Sequence, residues 1–214
     1  MDAMLRKALR KYNGLRQQVD NVLLGEDGDV WEAELRNFLA KRLCWEKNQM
    51  VPALQPKPAI LRLISDGKQI VGTTTGARTI ASVSDVFTWD IDPDFKNWGL
   101  DVPGEAKPET PVQVYEMVAD GDYKAIYGSL GQNLDKLCFT QEQIIAFVRD
   151  HKNWLRKGGW ATFFLFKVAG EFFVARVGLD ADERPSADAR RFSRDDVWSA
   201  DYRHRIVVPQ TLEP

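Results

Sequence analysis

The sequence predicts an α+β fold: an N-terminal antiparallel αα hairpin, then a mixed, mainly antiparallel β-sheet body with short helices and one long amphipathic helix. Three observations carry this. Residues 1–45 repeat apolar side chains at three- and four-residue steps, the helical period. Pro52, Pro56 and Pro58 then interrupt any helix, because proline lacks the amide and stiffens the chain. Beyond them, short β-branched and aromatic runs alternate with turn residues, most strongly between Thr140 and Leu179.

In the first segment, residues 1–24 read as a helix with a seam of Leu5, Ala8, Tyr12, Leu15, Val19 and Val22. Such spacing resembles that of helices that pair with one another, so Leu5, Tyr12, Leu15 and Val19 are the candidate partner-binding residues, for a protein partner or a homodimer. Gly25 to Gly28 breaks this helix, and Asp29 with Glu32 opens a second from Val30 to about Trp45 that buries Trp31, Leu35, Phe38, Leu39 and Leu43. The domains expected are a helical hairpin (1–50), a small β-rich module (59–110) and an α+β module (111–214) with a central aromatic hairpin.

In the β-rich module, Ile60 to Ile64 and Lys68 to Val71 flank Asp66-Gly67, a hairpin signature. Thr73 to Thr75 and Thr79 to Val83 are strand material by β-branched content. Asp92-Pro93 caps a short helix through Trp98, stopped by Gly99. Further on, Val112 to Val118 is a strand, and Tyr123 to Leu130 reads as a helix capped by Asp122 ahead of the strand that its aromatic content also suits. Thr140 with Gln143 forms a capping box, and Phe139 and Ile144 occupy the staple positions. The helix it opens carries a stripe of Ile144, Phe147, Val148, His151, Trp154 and Leu155, with Gly158-Gly159 as the stop. Two strands joined by Ala169-Gly170 follow. Phe164, Phe166, Phe173, Ala175 and Val177 share one face, and Phe163, Leu165, Phe172 and Val174 the other, so both faces must be covered. Each fully buried large apolar side chain contributes roughly 1.5–3 kcal/mol, which makes this hairpin the main source of core energy. Ala189 to Phe192 reads as an edge strand, Ser193 with Asp196 as the cap of a short helix, and Ile206 to Val208 as a final strand.

A net charge of −2 hides no strongly basic segment, which argues against a dedicated nucleic-acid protein. Cys44 and Cys138 have no metal-ligand spacing, and two free thiols suit a reducing, cytoplasmic setting. No run of eighteen apolar residues announces a membrane span, and no secretory leader is evident. Asp90, Asp92 and Asp94 imitate the opening of a calcium loop, but Phe95 stands where glycine belongs; capping explains the acids better, and no metal or cofactor is expected. Six arginines face four aspartates between residues 184 and 205, and Arg190, Arg191, Arg194, Arg203, His204 and Arg205 are the candidate phosphate or nucleic-acid contacts. His151 is expected at the edge of the core, hydrogen-bonded. The expected function is therefore a non-enzymatic binding or adaptor protein acting through protein–protein contacts, ahead of a nucleic-acid-binding protein and, third, a metal-dependent phosphoesterase.

The stretches LDKLCFTQEQI, HKNWLRKGGWATFFLFKV, GEFFVARV and YRHRIVVPQ, from Leu134 to Gln210, resemble a family of uncharacterised proteins from small-genome uncultured bacteria. The resemblance implies no activity, cofactor or catalytic residue.

Overall fold

The computed structural model describes residues 16, 19–20, 23–25, 27–40, 59–158 and 160–210. The chain divides into two compact units, Met1–Lys57 and Pro58–Pro214. In the first unit, helix α1 (Gly28–Leu39) has Asp29 in its first turn and Arg36 in its last, the favourable polarity for a helix dipole. Its apolar stripe is less buried than the spacing predicts: Trp31 and Leu35 are half-buried, whereas Val30, Phe38 and Leu39 are exposed. Of the predicted seam only Val19 is described, half-buried; Leu5, Tyr12 and Leu15, and with them the helical pairing, lie outside the described residues.

The second unit runs β1 (Leu61–Leu63), β2 (Ile70–Val71), β3 (Asp90–Ile91), α2 (Asp94–Asn97), β4 (Thr110–Met117), α3 (Tyr123–Gly128), α4 (Gln141–Asp150), β5 (Thr162–Val168), β6 (Glu171–Leu179), β7 (Pro185–Arg191) and β8 (Arg205–Pro209). Eight strands form one sheet in the order β1-β4-β8-β5-β6-β7-β3, with β2 on the outer side of β4 next to β1. The β3–β7 and β5–β8 pairs are parallel and the others antiparallel. The segments expected as separate modules, 59–110 and 111–214, thus contribute strands to the same sheet.

The aromatic hairpin forms as the residues dictate. Val168 pairs with Glu171 across Ala169 and Gly170, whose φ angles of 50° and 87° are those of a tight two-residue turn. Phe164, Phe166, Phe173, Ala175 and Val177 pack with Ile144, Phe147 and Val148 of α4 on one face. Phe163, Leu165 and Val174 pack with Tyr123, Ile126 and Tyr127 of α3 on the other, where Phe172 is partly buried under Lys167. The Thr140–Gln143 capping box opens α4, and Asp122 caps α3 by accepting the Ala125 amide at 2.7 Å.

Several local expectations are corrected. Ile60–Ile64 and Lys68–Val71 do not pair with each other; β1 and β2 lie end to end along β4, opposite Tyr115–Met117 and Thr110–Pro111. The Asp66 carboxylate accepts from the Lys68 amide and from Gln69, so Asp66-Gly67 closes a local loop that bulges out of a continuing edge. Thr79–Val83 is not a strand: Thr79 and Ser82 form a capping box around a 3₁₀ turn. Helix α4 stops at Asp150, eight residues short of Gly158, where the His151 ring leaves the helix to donate from Nε2 to the Ile70 carbonyl at 2.8 Å. The edge strand expected at 189–192 is longer, and β3 covers its first half. Ser193 opens no helix; the cap is Ser199, which accepts the Asp201 amide at the turn Ala200–Tyr202.

Candidate functional site

The α3 face is apolar over β4, β8, β5 and part of β6 but polar over β6, β7 and β3, and strand register says why. Gly178 stands opposite Ser186, and Ser186 beside Asp90; one rung on, Arg176 stands opposite Asp188. Alternation puts Ala187 and Ala189 in the α4 core, so Ser186, Asp188 and Arg190 must point the other way. Arg176 forms an ion pair with Asp188, and Arg190 reaches both Asp188, at 3.8 Å, and Asp92, at 3.4 Å. Trp89, Asp90, Arg176, Gly178, Ser186 and Asp188 line an open cleft of about 350 Å³.

The arginines singled out in the sequence are not brought together as one basic surface. Arg190 points to the α3 face, whereas Arg191 lies on the opposite face over Trp98 and Phe173 and near Glu171. The Asp92 carboxylate accepts the Ala189 amide while Arg190 donates to the Ala189 carbonyl, so this pair satisfies backbone groups of a sheet edge. Arg194 pairs with Asp196. Arg203 sits in a left-handed conformation, φ 50°, before β8 begins and does not share a strand face with Arg205. Arg205 is half-buried and donates to the Leu155 carbonyl at 3.2 Å; burial lowers its pKa, though not its charge at neutral pH.

His204 is the exception, because it is buried and central. Its Nδ1 accepts the Ala161 amide at 3.2 Å, which leaves the proton on Nε2, and Nε2 has no partner among the described residues. The ring lies 5.2 Å from Phe163, 5.3 Å from Trp198, 5.8 Å from Tyr202 and 6.4 Å from Trp160. Burial pulls its pKa down to about 4, and the positive charges of Arg176 and Arg156 act the same way. Above this hub, Trp160 and Tyr202 stack in parallel at 4.0 Å, 36% and 43% exposed, and Arg156 donates to the Tyr202 carbonyl at 3.1 Å. Trp89, Trp160, Arg176, Ser186 and Asp188 carried no sequence signal as site residues; the polar alternation Ser186, Asp188, Arg190 is the pattern that points to the cleft face.

Of the acidic triplet, Asp92 is committed to Arg190 and to the amides of Asp94 and Ala189, and no group of three metal-ligating side chains exists among the described residues. A second cavity, of about 560 Å³, lies between residues 102–107, 138–141 and 166–170. Its Cys138 thiol bonds the Leu134 carbonyl, and burial pushes its pKa up to about 12, so it is a poor nucleophile at neutral pH. No helix among the described residues is long and apolar enough to cross a membrane. No protein-family model, curated protein or solved structure matches the chain.

Proposed function

We propose that the chain is a non-enzymatic binding protein acting through protein–protein contacts, with the Trp160–Tyr202 pair at the centre of its contact face. The stacked, part-exposed pair carries this reading. Trp, Tyr and Arg dominate the energetics of protein interfaces, and Arg156 is fixed against the pair while Val197 stands 69% exposed beside Trp198. The hub of His204, Phe163 and Trp198 backs the rings, so little conformational freedom is lost when a partner covers them. The test is affinity capture from the native host with wild-type and Tyr202→Ala baits of equal thermal stability. Proteins held by the first and released by the second support the reading; an identical retained set removes it.

Arg156 and Arg203 beside exposed rings also suit a stacking platform for single-stranded nucleic acid, the second reading. Binding that weakens steeply as salt rises would favour it.

A further inference from the structure

We infer that the cleft over β6, β7 and β3 is a binding site for one cationic side chain, a guanidinium or alkylammonium group presented by a protein partner. It is distinct from the Trp160–Tyr202 face and depends on the protein-binding reading only for the source of the cation.

The chemistry of the lining selects the sign. Asp90, Asp188 and Arg176 leave one net negative charge, and Arg176 is already paired with Asp188. The Asp90 carboxylate is exposed at the rim and has no ion-pair partner among the described residues. Beside it, Trp89 is half exposed, and an indole face next to a free carboxylate is the combination that holds a cation by both ring quadrupole and charge. An anion would have to displace Asp188 from Arg176 and approach Asp90.

The floor is built for a ligand atom. Ser186 is 6% exposed and lines the cleft, yet its hydroxyl takes no hydrogen-bond partner among the described residues. Its Oγ lies over Gly178, where an added Cβ would come within 3.2 Å. A larger side chain at 178 would crowd that hydroxyl, so glycine keeps the floor open. An N–H donor entering past Trp89 would find carboxylates at the wall and a hydroxyl beneath. At about 350 Å³ the cleft is at the small end of ligand sites, suited to one side chain rather than a peptide backbone. The rest of the array is rigid: Arg190 and Asp92 lock β7 to β3 at the next rung.

The test follows the indole N–H resonance of Trp89, assigned with Trp89→Phe, in the full chain. The probes are end-blocked Gly-Arg-Gly, Gly-Lys-Gly and Gly-Glu-Gly peptides, and spermidine. The Arg and Lys peptides are expected to shift the resonance saturably, with affinity reduced at least tenfold in Asp90→Asn while the thermal transition of that variant matches wild type. No saturable shift with either basic peptide, equal affinity in Asp90→Asn, or preference for the Glu peptide would overturn the site. Spermidine binding more tightly than both peptides would overturn the partner side chain as its source. Neither result touches the capture experiment on Tyr202.

Discussion

Acidification should destabilise this protein in a specific window, and His204 sets both the window and its size. In an unfolded chain the imidazole titrates near 6.5; in the folded state it stays neutral until about pH 4. Between those values the unfolded state holds one more proton than the native state, so stability falls as pH falls from 6.5 and levels off below 4. At about 1.4 kcal/mol per pH unit the loss is about 3 kcal/mol. A urea slope of about 1–3 kcal/mol/M turns this into a midpoint lower by about 1–3 M. The assay is urea unfolding at several pH values for wild type and His204→Gln, whose amide retains an acceptor for Ala161. Carboxylates titrate in both proteins, and the difference between the two curves isolates the histidine. A difference that stays flat from pH 7 to 4 would refute the argument, since it would mean that the ring is solvated or already charged in the native state.

Gln141 accepts the Ile80 amide and donates to the Leu100 carbonyl from a buried position; Leu100 keeps the Val102 amide, so Gln141→Leu strands the Ile80 amide and should cost about 1–3 kcal/mol in chemical unfolding. Ala169 holds φ 50°, which asparagine tolerates better than alanine; Ala169→Asn should stabilise by up to about 1 kcal/mol and raise Tm by about 2–4 °C in calorimetry. Deleting residues 1–50 should leave a cooperatively unfolding body, because among the described residues the two core clusters run from Ile60 to Val208; a molten product in near-UV circular dichroism would show otherwise.

Where neighbours in sequence settle the structure, the sequence is readable. The Thr140–Gln143 box, the Asp122 cap and the Ala169-Gly170 turn each draw on a few consecutive residues, and the two-faced burial of the β5–β6 hairpin follows from alternation alone. Asp66-Gly67 shows the limit. Its local chemistry closes a loop in either case, and whether the chain then reverses or continues depends on β4, some forty residues later. Helix α4 likewise ends where the distant Ile70 carbonyl claims His151, not where the glycines stand. The cleft was invisible for the same reason: Asp90, Arg176 and Ser186 meet only through the register of three strands. The arginines lie close in sequence, yet adjacent residues of a strand, Arg190 and Arg191, point to opposite sides.

The position of β8 has a consequence for biosynthesis. It lies between β4 and β5, and among the paired strands nothing else joins the β1–β2–β4 group to the β5–β6–β7–β3 group. Both groups precede it in the chain, so during translation two half-sheets wait with open inner edges until Arg205–Pro209 arrives as the keystone. That order imposes long-range closure as the last step, the slow and association-prone kind. A nascent chain stalled before residue 205 would expose the edges of β4 and β5 together, making it a natural client for chaperones that recognise unpaired strands.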